Sequence, residues 1–469
     1  MNFDDLRQHY DIVPVMRELS ADTLTPVAAF AALAGDGDAF IFESVERGEN
    51  LGRYSFVGFD PRRHLRFDRN TPNASATLNK ELVKLRVYRE EMLPPFFGGA
   101  VGYFGYGVAG WSERIPDSHR DDLNIPDAEL LFFDNVVVFD HVRQRLLIIA
   151  SLFTADPDAS FAAAEKRIES AIERLRRARV DLVALPADAP SAEFTSNFTK
   201  EEFEAMVDAA KEEIIAGEIF QIVVSQRWET DYPRAEALTL YRALRSINPS
   251  PYMFLLRTND VTLVGASPEM LVRVTEGVAE TRPIAGTRKR GATREEEAEL
   301  EAALLADPKE YAEHLMLVDL GRNDLGRVSQ SGSVEVMDFC HIERYSHVIH
   351  LVTDVRSRLR DDRTAVDCFL SAFPAGTLSG APKIRAMELI DGFEKSRRGP
   401  YGGAIAYFGF SGNLDSCITI RTVVLANDRA YVQAGAGIVY DSDPGREYQE
   451  TIDKAAATKR AIAMAKAMR

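Results

Sequence analysis

Two pairs of glutamates, Glu310 with Glu313 and Glu447 with Glu450, stand three residues apart, each just inside an Asp-Pro dipeptide. Asp307 and Asp443 are natural N-caps, and Pro308 and Pro444 suit the first helical position, where a missing N–H costs nothing. The spacing puts both carboxylates of a pair on one side of a first helical turn. Two such helix starts can cradle one hard divalent cation through oxygens. Magnesium is the natural candidate, because it takes carboxylates and water and shares its sphere with an anionic substrate. The alternative is local: Asp307-x-x-Glu310 is also a capping-box pattern, and first-turn acids complement the helix dipole without a metal. Either pair alone is more often capping than a ligand. Di-iron chemistry is disfavoured, because it wants Glu-x-x-His and neither pair supplies the histidine.

Other candidates are scattered. His350 alternates with Val348 and Val352, where a lone histidine is more often packed than catalytic. Arg421 interrupts the apolar run CITIRTVV, and a charge in such a place needs a partner, which an anionic ligand would be. Gly435-Ala436-Gly437 follows a strand and either offers backbone N–H groups to a carboxylate or makes a tight bend. Lys454 lies four residues beyond Glu450, a spacing that also serves a purely helical ion pair. Glu269 is a single acid in a turn, Gly265-Ala266-Ser267-Pro268-Glu269.

The elements that must hold these residues are legible in outline. Tyr311, Leu315 and Val318 recur at helical spacing and predict the buried stripe of the helix that carries Glu310. Helices are also predicted over 158–179 and 199–216. Apolar, β-branched runs predict strands over 130–139, 145–151, 219–226, 253–256, 261–264 and 348–355. Further strands are predicted over 404–410, 417–425 and 430–434, joined by Gly412-Asn413 and Asn427-Asp428 turns. The glycine-aromatic stretch FFGGAVGYFGY (96–106) has no G-x-G-x-x-G frame and predicts a close-packed strand. Antiparallel sheet with helices to one side, an α+β layout, is the expected class.

The chain has 469 residues, too many for one compact core, and its net charge is −16. That charge argues against nucleic-acid partners and anionic membrane surfaces, so an anionic substrate must be met by local basic groups. Three scattered cysteines read as reduced thiols. No leader-like start and no long apolar run appear, so a cytoplasmic protein is expected. The Pro- and Ala-rich stretch VALPADAPSAEFTSN (183–197) is the best linker, placing an N-terminal domain at 1–185 and a larger one at 195–469.

Together these features resemble the chorismate-utilising enzymes from about residue 199 to 456, and from Phe40 onward their anthranilate-forming large-subunit family. The blocks are ESVERGENLGRYSF, NPSPYMF, GASPE, RPIAGTRKRG, DPKEYAEHLMLVDLGRND, SHVIHLVTDV, PAGTLSGAPK, GPYGGAIAYF, ITIRT, QAGAGIVYDSDP and EYQET. The resemblance implies large antiparallel sheets in a sandwich-like core with flanking helices. It implies magnesium as cofactor, chorismate and ammonia as substrates, and anthranilate and pyruvate as products. It also implies a separate glutamine amidotransferase subunit, hence a hetero-oligomer, and inhibition by tryptophan.

The resemblance assigns roles. Glu310, Glu313, Glu447 and Glu450 would hold magnesium directly or through water. Arg421 and Tyr401 would clamp the enolpyruvyl carboxylate, with Gly435, Ala436, Gly437 and Lys454 adding donors. Glu269 would serve the leaving C4 hydroxyl, His350 would be an acid or base, and Thr287 and Thr377 would line the pocket. Relatives that activate water carry a lysine where Gln221 stands, and those making 4-amino-4-deoxychorismate have a lysine where Ala285 stands. Neither residue here can be base or nucleophile, which leaves direct attack by ammonia. Glu43, Ser44, Arg53, Pro249, Tyr252 and Met253 match an inhibitor site for tryptophan. The rivals are an aminodeoxychorismate synthase and a non-catalytic tryptophan-binding regulator.

Overall fold

Two antiparallel sheets lie face to face and hold every strand of the described residues. The structure is a computed structural model that describes residues 3–44, 52–88, 93–180, 183–184, 186, 192–344 and 348–468. One sheet has twelve strands. Its path runs Ile12–Ser20, Arg145–Phe153, Asn135–Asp140, Tyr54–Phe59, Ala39–Glu43, Tyr252–Arg257, Thr262–Ser267, Thr422–Ala426, Arg429–Ile438, Gln221–Asp231 and Gly380–Ala381, with the short Thr195–Ser196 beside Gln221–Asp231. The other has ten strands, running Ile284–Lys289, Val348–Arg358, Val278–Thr281, Met270–Thr275, Leu414–Ile418, Ala404–Gly409, Gly99–Phe104, Ala128–Phe133 and Arg63–Phe67, with Glu335–Arg344 beside Val348–Arg358.

The two-residue period of a strand explains the layers. Phe40, Val136 and Val138 join Val101, Tyr103 and Ile405 in the core between the sheets. Their neighbours Ile41 and Val137 face outward against the helices Pro26–Ala34, Phe161–Arg176, Ala237–Ile247 and Pro444–Ala467. On the far side of the second sheet, Ala100, Phe104 and Val272 pack against Val318, Phe369 and Met387 from three helices. Because both faces are covered, central strands read as continuous apolar runs instead of alternating ones. This is the α+β sandwich with flanking helices that the sequence leads one to expect.

Each sheet is continuous across the linker: strands from before it form one end and strands from after it the other, joined where Ala39–Glu43 pairs with Tyr252–Arg257 and where Gly99–Phe104 pairs with Ala404–Gly409. Of the linker, only residues 183, 184, 186 and 192–197 are among those described, and the charged turn Val45–Asn50 lies outside them.

Helix ends follow the capping rules. Thr199 and Glu202 form a capping box at the start of Lys200–Ile215. Asp307 accepts from the amides of Lys309 and Glu310 above Pro308, and Asp443 accepts from Arg446 above Pro444. Cys340, Cys368 and Cys417 are free thiols. Among the described residues no helix is long and apolar enough to cross a membrane.

Three sequence expectations are corrected. The run 130–139 is two strands, Ala128–Phe133 and Asn135–Asp140, that belong to different sheets. The run 417–425 is likewise divided between Leu414–Ile418 in one sheet and Thr422–Ala426 in the other. Arg421 sits at that crossing with φ 51°, a corner and not a strand position. Finally, Tyr311 and Leu315 are exposed at 42% and 47%, so the buried face of Pro308–Gly326 is the one through His314, Leu317, Val318 and Gly321. Three- and four-residue steps fit more than one stripe, and only packing selects among them.

Candidate active site

The two Asp-Pro helix starts face one cleft of about 650 Å³. Its walls are the ends of strands from both sheets, the turn Asn248–Ser250, the turn at Pro268–Glu269 and the short 3-10 helix Gly376–Leu378. Gln221, Glu269, Thr287, His350, Thr377, Tyr401, Arg421, Gly435, Gly437 and Lys454 all line it, together with Glu313, Glu447 and Glu450. Residues far apart in sequence thus meet because the sheets bring them together.

Strand pairing decides which side chains arrive. Gln221–Asp231 pairs with Arg429–Ile438 so that Val223 opposes Gly437 and Ser225 opposes Gly435. Both glycines face the cleft, and alternation turns Ala436 away into the core with Phe203, Val207 and Ile222. Ala436 is therefore no wall of the cleft. A Cβ at Gly435 would stand 2.7 Å from the Val224 carbonyl oxygen and 2.8 Å from the Tyr401 hydroxyl, so the position admits only glycine. Lys454 Nζ donates to the Gly435 carbonyl at 3.1 Å and pairs with Glu450 at 2.5 Å. Arg421 is anchored by a 2.6 Å bond from Nη1 to the Lys454 carbonyl. Burial pushes its guanidinium down, against the pull of Tyr401 and Glu450.

His350 donates from Nδ1 to the Gly286 carbonyl at 2.8 Å, with Thr287 Oγ1 3.2 Å from the same nitrogen. A carbonyl only accepts, so this bond places the proton on Nδ1 and makes Nε2 the basic nitrogen. Burial lowers the imidazole pKa, keeping it neutral. Glu269 has the opposite character. Its carboxyl is pushed up to about 7 by burial, which outweighs the hydrogen bond from Thr377 and the charge of Lys454. Thr377 Oγ1 donates to Glu269 Oε1 at 2.9 Å and fixes its direction. One cleft therefore holds a neutral base and an acid half-protonated near neutrality, the pairing that proton transfer in both directions needs.

The four glutamates are unequal. Glu313 is raised by burial and then by the carboxylates of Glu310 and Glu450. Glu447 is raised by burial, eased by a bond from Ser442 and raised again by Glu450, and its Oε2 is buried without a hydrogen-bond partner. Glu310 is not on the cleft wall; Arg288 reaches its Oε1 at 2.9 Å and also holds the N-cap Asp307 at 3.0 Å. Among the described residues no three His, Cys, Asp or Glu side chains form a ready-made metal cluster. Crowded carboxylates with an orphaned buried oxygen nevertheless fit a hard cation, which takes oxygen donors and relieves their repulsion. Glu313, Glu447 and Glu450 are the residues placed to hold it, with Glu310 behind them.

A second cavity of about 360 Å³ lies between the sheets, lined by Glu43, Ser44, Arg53, Tyr252, Met253, Arg273, Tyr407 and Asp415 among others. Pro249 does not belong to it and lies on the wall of the larger cleft instead. Arg245 donates to Glu43 at 3.1 Å and Tyr241 donates to the same carboxylate. Arg53 is tied to Asp140 at 2.8 Å, and Tyr252 to Asp415 at 3.1 Å. Ser44 Oγ is buried with no partner.

The sequence reading missed the support beneath the main cleft. Glu394 and Arg398 are a fully buried pair, 2.6 Å apart. Arg398 also donates to the carbonyls of Leu378 and Val223, both on the cleft wall, at 2.7 Å each. The visible signal was the basic step Arg397-Arg398 just before the block GPYGGAIAYF.

The sequence profile of the chorismate binding enzymes matches residues 37–460. The chain belongs to that family, in its anthranilate synthase component 1 branch. It is 46% identical to the anthranilate synthase component 1 of Acetivibrio thermocellus over 97% of this chain and 96% of the relative. The crystal structure of anthranilate synthase component I from Streptococcus pneumoniae superposes with a TM-score of 0.79 at 36% identity, covering 94% of this chain and 99% of that one. The menaquinone-specific isochorismate synthase of Escherichia coli shares the fold alone, with a TM-score of 0.71 at 18% identity, covering 98% of this chain and 99% of that one. This breadth makes the cleft wall, and not the fold, the place where chorismate-binding enzymes differ.

Proposed function

We propose that the chain is the chorismate-converting subunit of an anthranilate synthase, a lyase that turns chorismate and ammonia into anthranilate, pyruvate and water. The observation that carries this reading is the cleft wall at Gln221 and Ala285: both line it, and neither supplies an amine. Lys454 is committed to Gly435 and Glu450, and Lys309, the other lysine on the wall, lies beside the carboxylates of Glu313 and Glu447; external ammonia is the nitrogen source in this reading. The relatives named component 1 support a second component, and we assign it the glutaminase that supplies ammonia.

Arg421 and Tyr401 hold the enolpyruvyl carboxylate, a fork-shaped donor suiting a planar anion. Magnesium at Glu313, Glu447 and Glu450 would supply positive charge that binds the ring carboxylate and draws electrons from the ring. As ammonia forms its bond at C2, both ring double bonds shift, from C1=C2 and C5=C6 to C1=C6 and C4=C5, and the C4–O bond breaks. Glu269 gives its proton so that water leaves, and the new C–N group loses its extra proton to solvent. His350 Nε2 then takes the C2 proton as the enolpyruvyl C–O bond breaks, and the released enol picks up a proton to become pyruvate.

The second cavity offers apolar rings, an unpartnered hydroxyl and both charge signs, a lining that suits a zwitterionic aromatic amino acid. We assign it to tryptophan as inhibitor, bound by Ser44, Tyr252 and Met253 with Glu43 and Arg53 at its rim. The test is separation of products from chorismate, magnesium and ammonium, with and without EDTA. Fluorescent anthranilate that EDTA abolishes is the expected result; isochorismate or aminodeoxychorismate would overturn the reading.

A further inference from the structure

Behind Tyr401 and Gln433, which also line the main cleft, lies a recess of about 10 Å³. That is room for one molecule of the size of water or ammonia. Its wall includes Thr419, Arg227 and Arg398. Thr419 is 1% exposed, and neither its Oγ1 nor Gln433 Oε1 has a hydrogen-bond partner within the protein. Two orphaned oxygens at one small void are unusual, because buried polar atoms are nearly always paired.

The direction of the Gln433 amide follows from the donors behind it. Glu394 accepts from Arg398, and Ser225 Oγ lies 2.7 Å from Glu394 Oε1. An ionised carboxylate only accepts, so the serine hydroxyl spends its proton there and must accept from its other neighbour. That neighbour is Gln433 Nε2, at 2.8 Å. The amide is thereby fixed with Nε2 toward Ser225, which leaves Oε1 as an acceptor facing the recess.

We infer that Gln433 Oε1 and Thr419 Oγ1 form the seat of the nitrogen nucleophile, holding one neutral ammonia by its N–H groups beside the chorismate cleft. This rests on the proposed function and names the residues that receive its second substrate. Gln433 Oε1 is the acceptor that leaves the ammonia lone pair free for carbon; the Thr419 hydroxyl can both donate and accept, and takes a second N–H through its oxygen. Arg227 and Arg398 in the same wall are each ion-paired, with Asp122 and Glu394, and ammonium has no lone pair to give, so neutral ammonia is the reacting species. Gln433 moves no proton; it binds and orients.

Steady-state kinetics with chorismate and ammonium varied independently test the inference. Turnover by the unmodified chain is measured first, and absence of anthranilate there sinks the proposed function itself. Thr419→Val keeps shape and removes a hydroxyl that has no partner to lose, and Gln433→Met removes the acceptor. Each is expected to raise KM for ammonia about two- to tenfold, the worth of one hydrogen bond, with KM for chorismate unchanged within twofold. KM expressed as neutral ammonia is expected to stay constant between about pH 7.5 and 9. An unchanged ammonia KM in Thr419→Val, or a chorismate KM that rises in step, overturns the inference while leaving anthranilate formation intact.

Discussion

Pro249 and Tyr252, three residues apart, face two different cavities: Pro249 the main cleft and Tyr252 the chamber between the sheets. The segment Asn248–Met253 is thus a wall common to both, and Tyr252–Arg257 continues it into the twelve-stranded sheet. A ligand that shifts Tyr252 has a direct route to the turn beside chorismate. Coupling between sites is reciprocal, so whatever factor tryptophan imposes on chorismate affinity, chorismate must impose on tryptophan. Calorimetric titration of tryptophan with and without chorismate is expected to show that factor. In Ser44→Ala, whose lost hydroxyl is the unpartnered one, tryptophan is expected to bind about two- to tenfold more weakly.

Glu269 is expected to set the pH dependence of turnover. Its folded pKa of about 7 lies above the ordinary 4.5, so the proton it donates is lost as pH rises through 7. The acid-dependent rate is expected to fall above that point. The native state holds this proton where the unfolded chain does not, so its stabilising share is complete below about 4.5 and fades as pH rises through 7. Glu269→Gln is expected to lower kcat by about 10²- to 10⁴-fold, and its melting temperature should vary less between pH 5 and 8. A pH-rate profile and thermal unfolding read both.

Removing one partner of the buried Glu394–Arg398 pair leaves a bare charge under the cleft. Arg398→Met is expected to cost about 3–5 kcal/mol in urea unfolding. A cost near zero would show that the pair does not brace the walls at Leu378 and Val223.

Gly435→Ala places a methyl group against Val224 and Tyr401, each closer than 3 Å. Strain of about 1–3 kcal/mol and a large rise in KM for chorismate are expected. Gly392→Ala, with open space around its Cβ position, is the control that should change neither.

For the cation, Glu447→Gln removes the carboxylate that carries the orphaned oxygen. The magnesium concentration for half-maximal rate is expected to rise about tenfold or more, measured after EDTA treatment.

Much of the site was legible because helix starts and turns obey local rules. Asp307-Pro308 and Asp443-Pro444 cap helices in the structure as their residue types require. What failed was longer-range. A strand that leaves one sheet for the other carries no local mark, so Asp134 and Arg421 fall inside runs whose pattern is that of single strands. The positive φ of Arg421 is a consequence of that crossing, not of its residue type. Ala436 shares a motif with its glycine neighbours, and only the register of the strand pair separates its face from theirs. Tyr311 and Leu315 show that spacing defines a stripe but not its partner. The Glu394–Arg398 brace was invisible because its partners are backbone carbonyls, which no sequence pattern displays.

The most direct measurement is a single-turnover experiment with the purified chain, excess magnesium and 15N-labelled ammonium, quenched after one equivalent of chorismate is consumed. Equal amounts of 15N-anthranilate and pyruvate are the expected result. An amino-deoxychorismate that retains its enolpyruvyl group, an unlabelled isochorismate, or chorismate recovered unchanged would contradict the account.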